Sequence, residues 1–194
     1  MNKKIEIEIP EGKVAEWQEI NGVTTLVLTD EKDNRPVTER IKTFEDACNE
    51  LGEENVLVQA YRTAEFNTSG NQNDVSDVVA YLKLRVIAAA LNEGWEPQFM
   101  KDEYRWYPWF YFYTQREIDK MDEEKKKTMW LFGGGSYSGA HCGLAVAGSG
   151  STGSNSGAAF SARLAVKSEA LAKYFGQQFI DIWSDYVALP RKEE

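Results

Sequence analysis

The chain is poor in the residues that most often carry chemistry. Among its 194 residues there is one histidine, His141, and there are two cysteines, Cys48 and Cys142. Two cysteines so far apart make neither a disulfide framework nor a CxxC metal motif, and they read as reduced, buried thiols. A single histidine excludes a metal site built on several imidazoles. Positive charge is also scarce: 22 Lys and Arg stand against 31 Asp and Glu, for a net charge of -9. That balance argues against a broad footprint on DNA or RNA, which requires a basic face, so nucleic acid is not expected as a partner. No apolar run approaches the length of a bilayer span, and the opening MNKKIEIEIPEG lacks an apolar stretch of signal-peptide length. No membrane partner is expected. The expected location is a cytoplasm, or a particle assembled in one.

What is present describes a folded protein. Hydrophobic residues make up 42%, with 6 Trp, 9 Tyr and 9 Phe, enough for a substantial core. No internal repeat and no linker-like stretch interrupts the chain, which predicts a single α+β domain over 1–194. Residues 3–9 alternate charge with Ile5, Ile7 and Ile9, and 23–29 are β-rich. The two predict an N-terminal β-hairpin region within 1–36. Thr43, with Asp46 three residues on and Gly52 as the stop, predicts a capped short helix. Residues 62–74 read as a polar loop. Val79, Leu82, Val86, Ile87, Ala90 and Leu91 recur at helical spacing within 75–92. Thr114 and Glu117 predict a capping box opening a charged helix to about Lys125. Strands are expected at 129–132, 144–147 and 160–166. A final helix over 168–188 carries Leu171, Phe175, Phe179, Ile182 and Trp183 on a broad apolar face. The expected architecture is an antiparallel sheet formed largely by the C-terminal half, packed by the helices near 75–92 and 168–188. The wide face of the final helix would also serve a homo-oligomer.

The Gly/Ser-rich β segment at 128–166 is the most distinctive stretch. Gly133, Gly134 and Gly135 lead into Ser136 and Tyr137, and residues 148–157 are almost wholly Gly, Ser, Thr and Asn. Glycine admits close approach of a backbone or a ligand, so these stretches read as recognition loops. They do not make a phosphate loop, because no lysine stands at the GxxxxGK[ST] spacing, and no cofactor is expected. GxSxG is absent too, since Ser138 follows Tyr137. His141 and Cys142 are adjacent, and neighbours on a strand point to opposite faces, so they do not form a nucleophile–base pair. No catalytic residues are expected, and no metal ligands are assigned. A carboxylate calcium site near Asp74, Asp77, Asp102 and Glu103 stays open, although none has EF-hand spacing. The aromatic cluster at 95–113 has three readings: a core built on Trp106, Trp109, Phe110 and Phe112; exposed rings among Tyr104, Trp106, Tyr107 and Tyr111 stacking on a sugar or base; or an oligomer seal.

Five strings carry a family resemblance: IEIPEGK at 7–13, IKTFEDACNELG at 41–52, AYLKLRVIAAALNEGWEP at 80–97, YRWYPWF at 104–110 and SARLAVKSEALAKYFGQQFIDIW at 161–183. Together they resemble a family of uncharacterised bacteriophage and prophage proteins of Bacteroidales, which implies a host cytoplasm or a virion as the location. Residues 131–166 are more weakly similar to the closing segment of C-type lectin-like domains, of the formylglycine-generating-enzyme and phage tropism-determinant kinds. Gly134, Gly135, Ser136 and Tyr137 match their Gly-Gly-Ser-aromatic turn, and Ser161 to Ala165 their final strand. That similarity implies a binding scaffold only, because the enzyme's cysteine pair has no counterpart. The expected function is non-enzymatic binding of a ligand or protein partner through Tyr137, His141, Ser149, Ser151, Thr152, Ser154 and Asn155, with Trp106 and Tyr107 for stacking. The alternative is an intracellular phage factor that binds nucleotides or nucleic-acid-related host machinery.

Overall fold

The computed structural model describes residues 6–30, 33–68, 75–98, 103–127, 129–132, 142–152 and 162–187. The fold is α+β. The chain divides into two compact units, Met1–Pro36 and Val37–Glu194.

The first unit is a two-stranded antiparallel hairpin of β1 (Lys13–Ile20) and β2 (Val23–Asp30). Asn21 and Gly22 join the strands with φ of 52° and 78°, the paired positive values of a type I′ turn. The register runs from Ile20 opposite Val23 to Lys13 opposite Asp30. This corrects the expected pairing of 3–9 with 23–29: residues 6–10 form no strand, and β1 begins after the turn at Gly12. A two-residue turn ties immediate neighbours at little loop-closure cost, so 13–20 win the partnership over a more distant segment.

The second unit begins with α1 (Val37–Arg40), α2 (Phe44–Leu51), α3 (Val56–Thr68) and α4 (Ser76–Asn92). The capping box at Thr43 forms as expected. The Asp46 N–H donates to the Thr43 hydroxyl, and the Thr43 and Lys42 N–H groups donate to the Asp46 carboxylate. Helix α3 runs through 62–68, which were expected to be loop; residues 69–74 lie outside the described residues. Helix α4 is the axis of the core, burying Ala80, Leu84, Val86, Ile87, Ala88, Ala90, Leu91 and Asn92. Its basic pair flanks that stripe: the Lys83 ammonium lies 5.6 Å from the Phe44 and Tyr61 ring centroids, and Arg85 lies 6.0 Å from Tyr81.

Next come β3 (Arg105–Thr114), α5 (Gln115–Ile118), α6 (Glu123–Lys127), β4 (Met129–Phe132) and β5 (Cys142–Thr152). The strands form an antiparallel sheet in the order β3-β5-β4. Strand structure is thus split between the N-terminal hairpin and this sheet, and the described residues after Thr152 are helical apart from the segment around the bridge at Val166. The expected strand at 160–166 is replaced by a 3-10 turn at Ala162–Leu164 and a single bridge from Val166 to Trp106. The charged helix expected from Thr114 to Lys125 is broken after Ile118, which is buried, because the run beyond has no apolar face to bury.

The expected final helix is two helices, α7 (Glu169–Gln178) and α8 (Ile180–Val187), interrupted at Phe179. Phe179 turns into the core, 6.2 Å from Phe175 and 6.3 Å from Tyr174. The Tyr174 hydroxyl donates to the Ile41 carbonyl at 2.6 Å and the Gln178 amide to the Lys42 carbonyl at 2.8 Å, fastening α7 beside the start of α2. Among the described residues no helix is long and apolar enough to cross a membrane.

Candidate functional site

The β3-β5-β4 sheet turns one side of β3 to the core. Trp106 is half-buried against the core, and the Phe110 ring lies 5.1 Å from that of Trp183. Trp183 is fully buried and also meets Phe175 at 5.0 Å and Tyr186 at 6.1 Å. Along the edge of β3 away from β5, Val166 and Trp106 exchange two backbone hydrogen bonds, at 3.1 and 2.8 Å. The buried Asn92 amide at the end of α4 holds the same segment. It donates to the Ala165 carbonyl at 2.9 Å and accepts from the Lys167 N–H at 3.0 Å.

An ionic knot surrounds this clamp. Glu93 binds Lys167 at 2.7 Å and Arg40 at 2.6 Å, and Arg40 also pairs with Glu50. Glu93 itself is the C-cap of α4, in the left-handed region at φ 50°, and its N–H donates to the Ala90 carbonyl at 3.2 Å.

The other side of β3 carries Tyr107, Trp109, Tyr111 and Tyr113. Trp109 is 50% exposed and Tyr111 is 48% exposed, with the Tyr111 and Tyr113 rings 4.6 Å apart. The register sets these four residues opposite Gly150, Gly148, Ala145 and Gly143 of β5. Residues directly opposite across an antiparallel pair are the nearest cross-strand neighbours. Three of the four are glycine and the fourth is alanine, so the positions opposite the rings carry at most a methyl group.

A bulge creates this match. Trp109 pairs with Gly148 and Phe110 with Val146, leaving Ala147 as an extra residue. With a regular ladder, Trp109 and Tyr107 would stand opposite Ala147 and Ser149. The insertion brings glycines under both. The half-exposed Trp109 and Tyr111 thus stand beside a β5 stretch of small residues.

The residues expected to bind ligand fall differently. Tyr137, His141, Ser154 and Asn155 lie outside the described residues. Ser149, Ser151 and Thr152 are strand positions of β5, opposite Pro108, Trp106 and Arg105, and not part of a loop starting at 148. Trp106 is engaged by the core and by Val166, and Tyr107 is only 8% exposed, so neither presents an open ring. The exposed rings of the cluster are Tyr104, Trp109, Tyr111 and Phe112; Trp109 and Phe112 were expected in the core, and Tyr104 and Tyr111 in the stacking set. The chain enters β5 at Cys142 and leaves it at Thr152. Eleven strand residues span about 35 Å, so the two Gly/Ser-rich segments start from opposite ends of that strand.

The titrating groups with displaced pKa values lie elsewhere. The Thr114 N–H and hydroxyl hold the Glu117 carboxyl below its ordinary value at the end of β3. The hydrogen bond from Arg62 lowers Glu45, and burial raises Tyr61, Tyr174 and Tyr186. Among the described residues no group of three or more His, Cys, Asp or Glu gathers to hold a metal ion; Asp74 and Asp102 lie outside them. No family model, curated protein or solved structure matches the chain.

Proposed function

We propose that the protein is a non-enzymatic binding module whose open aromatic strip, Trp109 and Tyr111 with Tyr113 beside them, stacks on a neutral ring-bearing ligand such as a glycan. The observation that supports this reading most strongly is the register that sets Trp109 and Tyr111 opposite Gly148 and Ala145. Half-exposed rings offer a flat apolar surface at little reorganisation cost, because Phe110 and Trp183 anchor the same strand. The Gly/Ser-rich segments at the two ends of β5 would add adaptable hydrogen bonds, with Tyr137 and His141 at one end and Ser154 and Asn155 at the other. Net charge of -9 favours a neutral ligand over a polyanion. A phage origin and a lectin-like scaffold remain part of the reading, as the resemblance implies.

The test is a glycan array probed with the whole chain, followed by titration of the best hit against Trp109→Ala, Tyr111→Ala and Gly148→Val. Removing a stacked ring is expected to cost about 1–3 kcal/mol of binding. Gly148→Val, which leaves Trp109 in place but puts a branched side chain opposite it, is expected to weaken binding as well. Mass spectrometry of ligands released from heat-denatured protein separates this reading from its alternative: a nucleotide recovered there would favour the intracellular factor.

A further inference from the structure

We propose that the outer edge of β2 pairs with the same edge of a second copy of this chain, forming a four-stranded sheet in the order β1-β2-β2-β1. The surface is remote in sequence from the aromatic strip and independent of that reading.

The hairpin lacks a core of its own. None of the described residues of its unit is buried, and Trp17, Val23 and Leu28 are 69%, 63% and 40% exposed. A lone two-stranded hairpin is marginal in water, and three or more strands with an apolar face are needed for stability. In a two-stranded sheet both strands are edges, but these two edges differ. Strand β1 carries Lys13, Glu16 and Glu19, the kind of charge that protects an edge from pairing. Strand β2 has no charge and no proline from Val23 to Thr29, and every residue there is Val, Thr or Leu. It is an unguarded edge of high β propensity.

The register indicates a copy of the same strand as the occupant. After a two-residue turn closing Ile20 on Val23, the amides of Val23, Thr25, Val27 and Thr29 face β1, and those of Thr24, Leu26 and Leu28 face outward. A two-fold axis at Leu26 then sets Leu26 against Leu26, Thr24 against Leu28 and Thr25 against Val27. No charge opposes another. The outward amides fall on the hydrogen-bonded pairs, and the side chains of Leu26 and Leu28 continue the row that begins with Ala15 and Trp17. The acidic β1 strands end on the two rims, so the assembly closes as a dimer and does not grow into a fibre. This low-charge contact also lets two acidic molecules meet without like-charge repulsion at the seam.

The experiment is sedimentation of the whole chain across a wide concentration range, with amide exchange measured alongside. The expected result is a reversible shift from one chain to two, with Thr24, Leu26 and Leu28 amides gaining protection as the dimer fills while Thr25 and Val27 are protected throughout. Leu26→Lys is expected to abolish the dimer, as is Leu26→Glu, and an equimolar mixture of the two variants is expected to restore it, because the two-fold sets that position against itself. A chain that stays monomeric at every concentration overturns the proposal. So does a dimer that survives Leu26→Lys, or outward amides that exchange equally fast in monomer and dimer; neither of these readouts depends on ligand binding.

Discussion

Replacing Asn92 with alanine is expected to destabilise the second unit and loosen β3 at a defined place. Asn92 is 5% exposed and makes two hydrogen bonds to one segment, to the Ala165 carbonyl at 2.9 Å and from the Lys167 N–H at 3.0 Å. The consequences of losing each bond differ. Ala165 is buried, so its carbonyl is stranded without water, at about 1–3 kcal/mol. Lys167 is exposed, so its N–H is rehydrated and only an ordinary net bond of about 0.5–1.5 kcal/mol is lost. Together these come to about 1.5–4.5 kcal/mol, a large part of the stability of a small domain. The same segment carries Val166, which pairs with Trp106, so the loss should reach β3. Urea unfolding of Asn92→Ala gives the magnitude, and amide exchange at Trp106 and Val166 gives the location. A cost under about 0.5 kcal/mol, or unchanged exchange at both amides, would refute the clamp.

Other expectations follow from the same packing and electrostatics. Trp183→Ala removes the ring that Phe110, Phe175 and Tyr186 share and is expected to cost about 3–5 kcal/mol in a denaturation series. Thr43→Ala deletes the cap of α2 and is expected to cost about 1 kcal/mol by the same measurement. The Lys42 and Thr43 hydrogen bonds lower the Asp46 pKa from 3.8, so its stabilising contribution is complete above that value and lost as pH falls through the depressed folded value. Acid unfolding of Asp46→Asn beside the parent should therefore converge at the acid end. Burial pushes the Cys48 thiol up to about 11, so in a Cys142→Ser background it should react with a disulfide reagent at pH 8 far more slowly than in urea.

Much of the second unit was legible in the chain because local and tertiary preferences agree there. Thr43, Asp46 and Gly52 delimit α2, and the apolar period through 75–92 marks the buried axis. The hairpin register was legible too, in Asn21-Gly22 between β-rich runs, but the alternation at 3–9 is the more regular pattern and drew the strand to the wrong place. Helix α3 was hidden because its apolar residues do not share a face: Val58 and Tyr61 are buried, whereas Val56 and Phe66 are exposed. The break at Phe179 depends on a ring finding Phe175 and Tyr174, a tertiary contact with no local signal. At the candidate site the residue types were visible but the geometry was not. The bulge at Ala147 decides which β5 residues stand opposite the rings, and a bulge inside a run of small residues leaves no mark on composition.

The proposed binding surface is the pair of half-exposed rings on β3, Trp109 and Tyr111, beside Gly148 and Ala145. Parallel measurement of ligand affinity and unfolding midpoint for the double variant Trp109→Ala/Tyr111→Ala tests it most directly. The expected result is at least about a 30-fold loss of affinity, two stacks at about 1 kcal/mol each, with folding retained because both rings are half-exposed. Undiminished affinity in a folded double variant would contradict it.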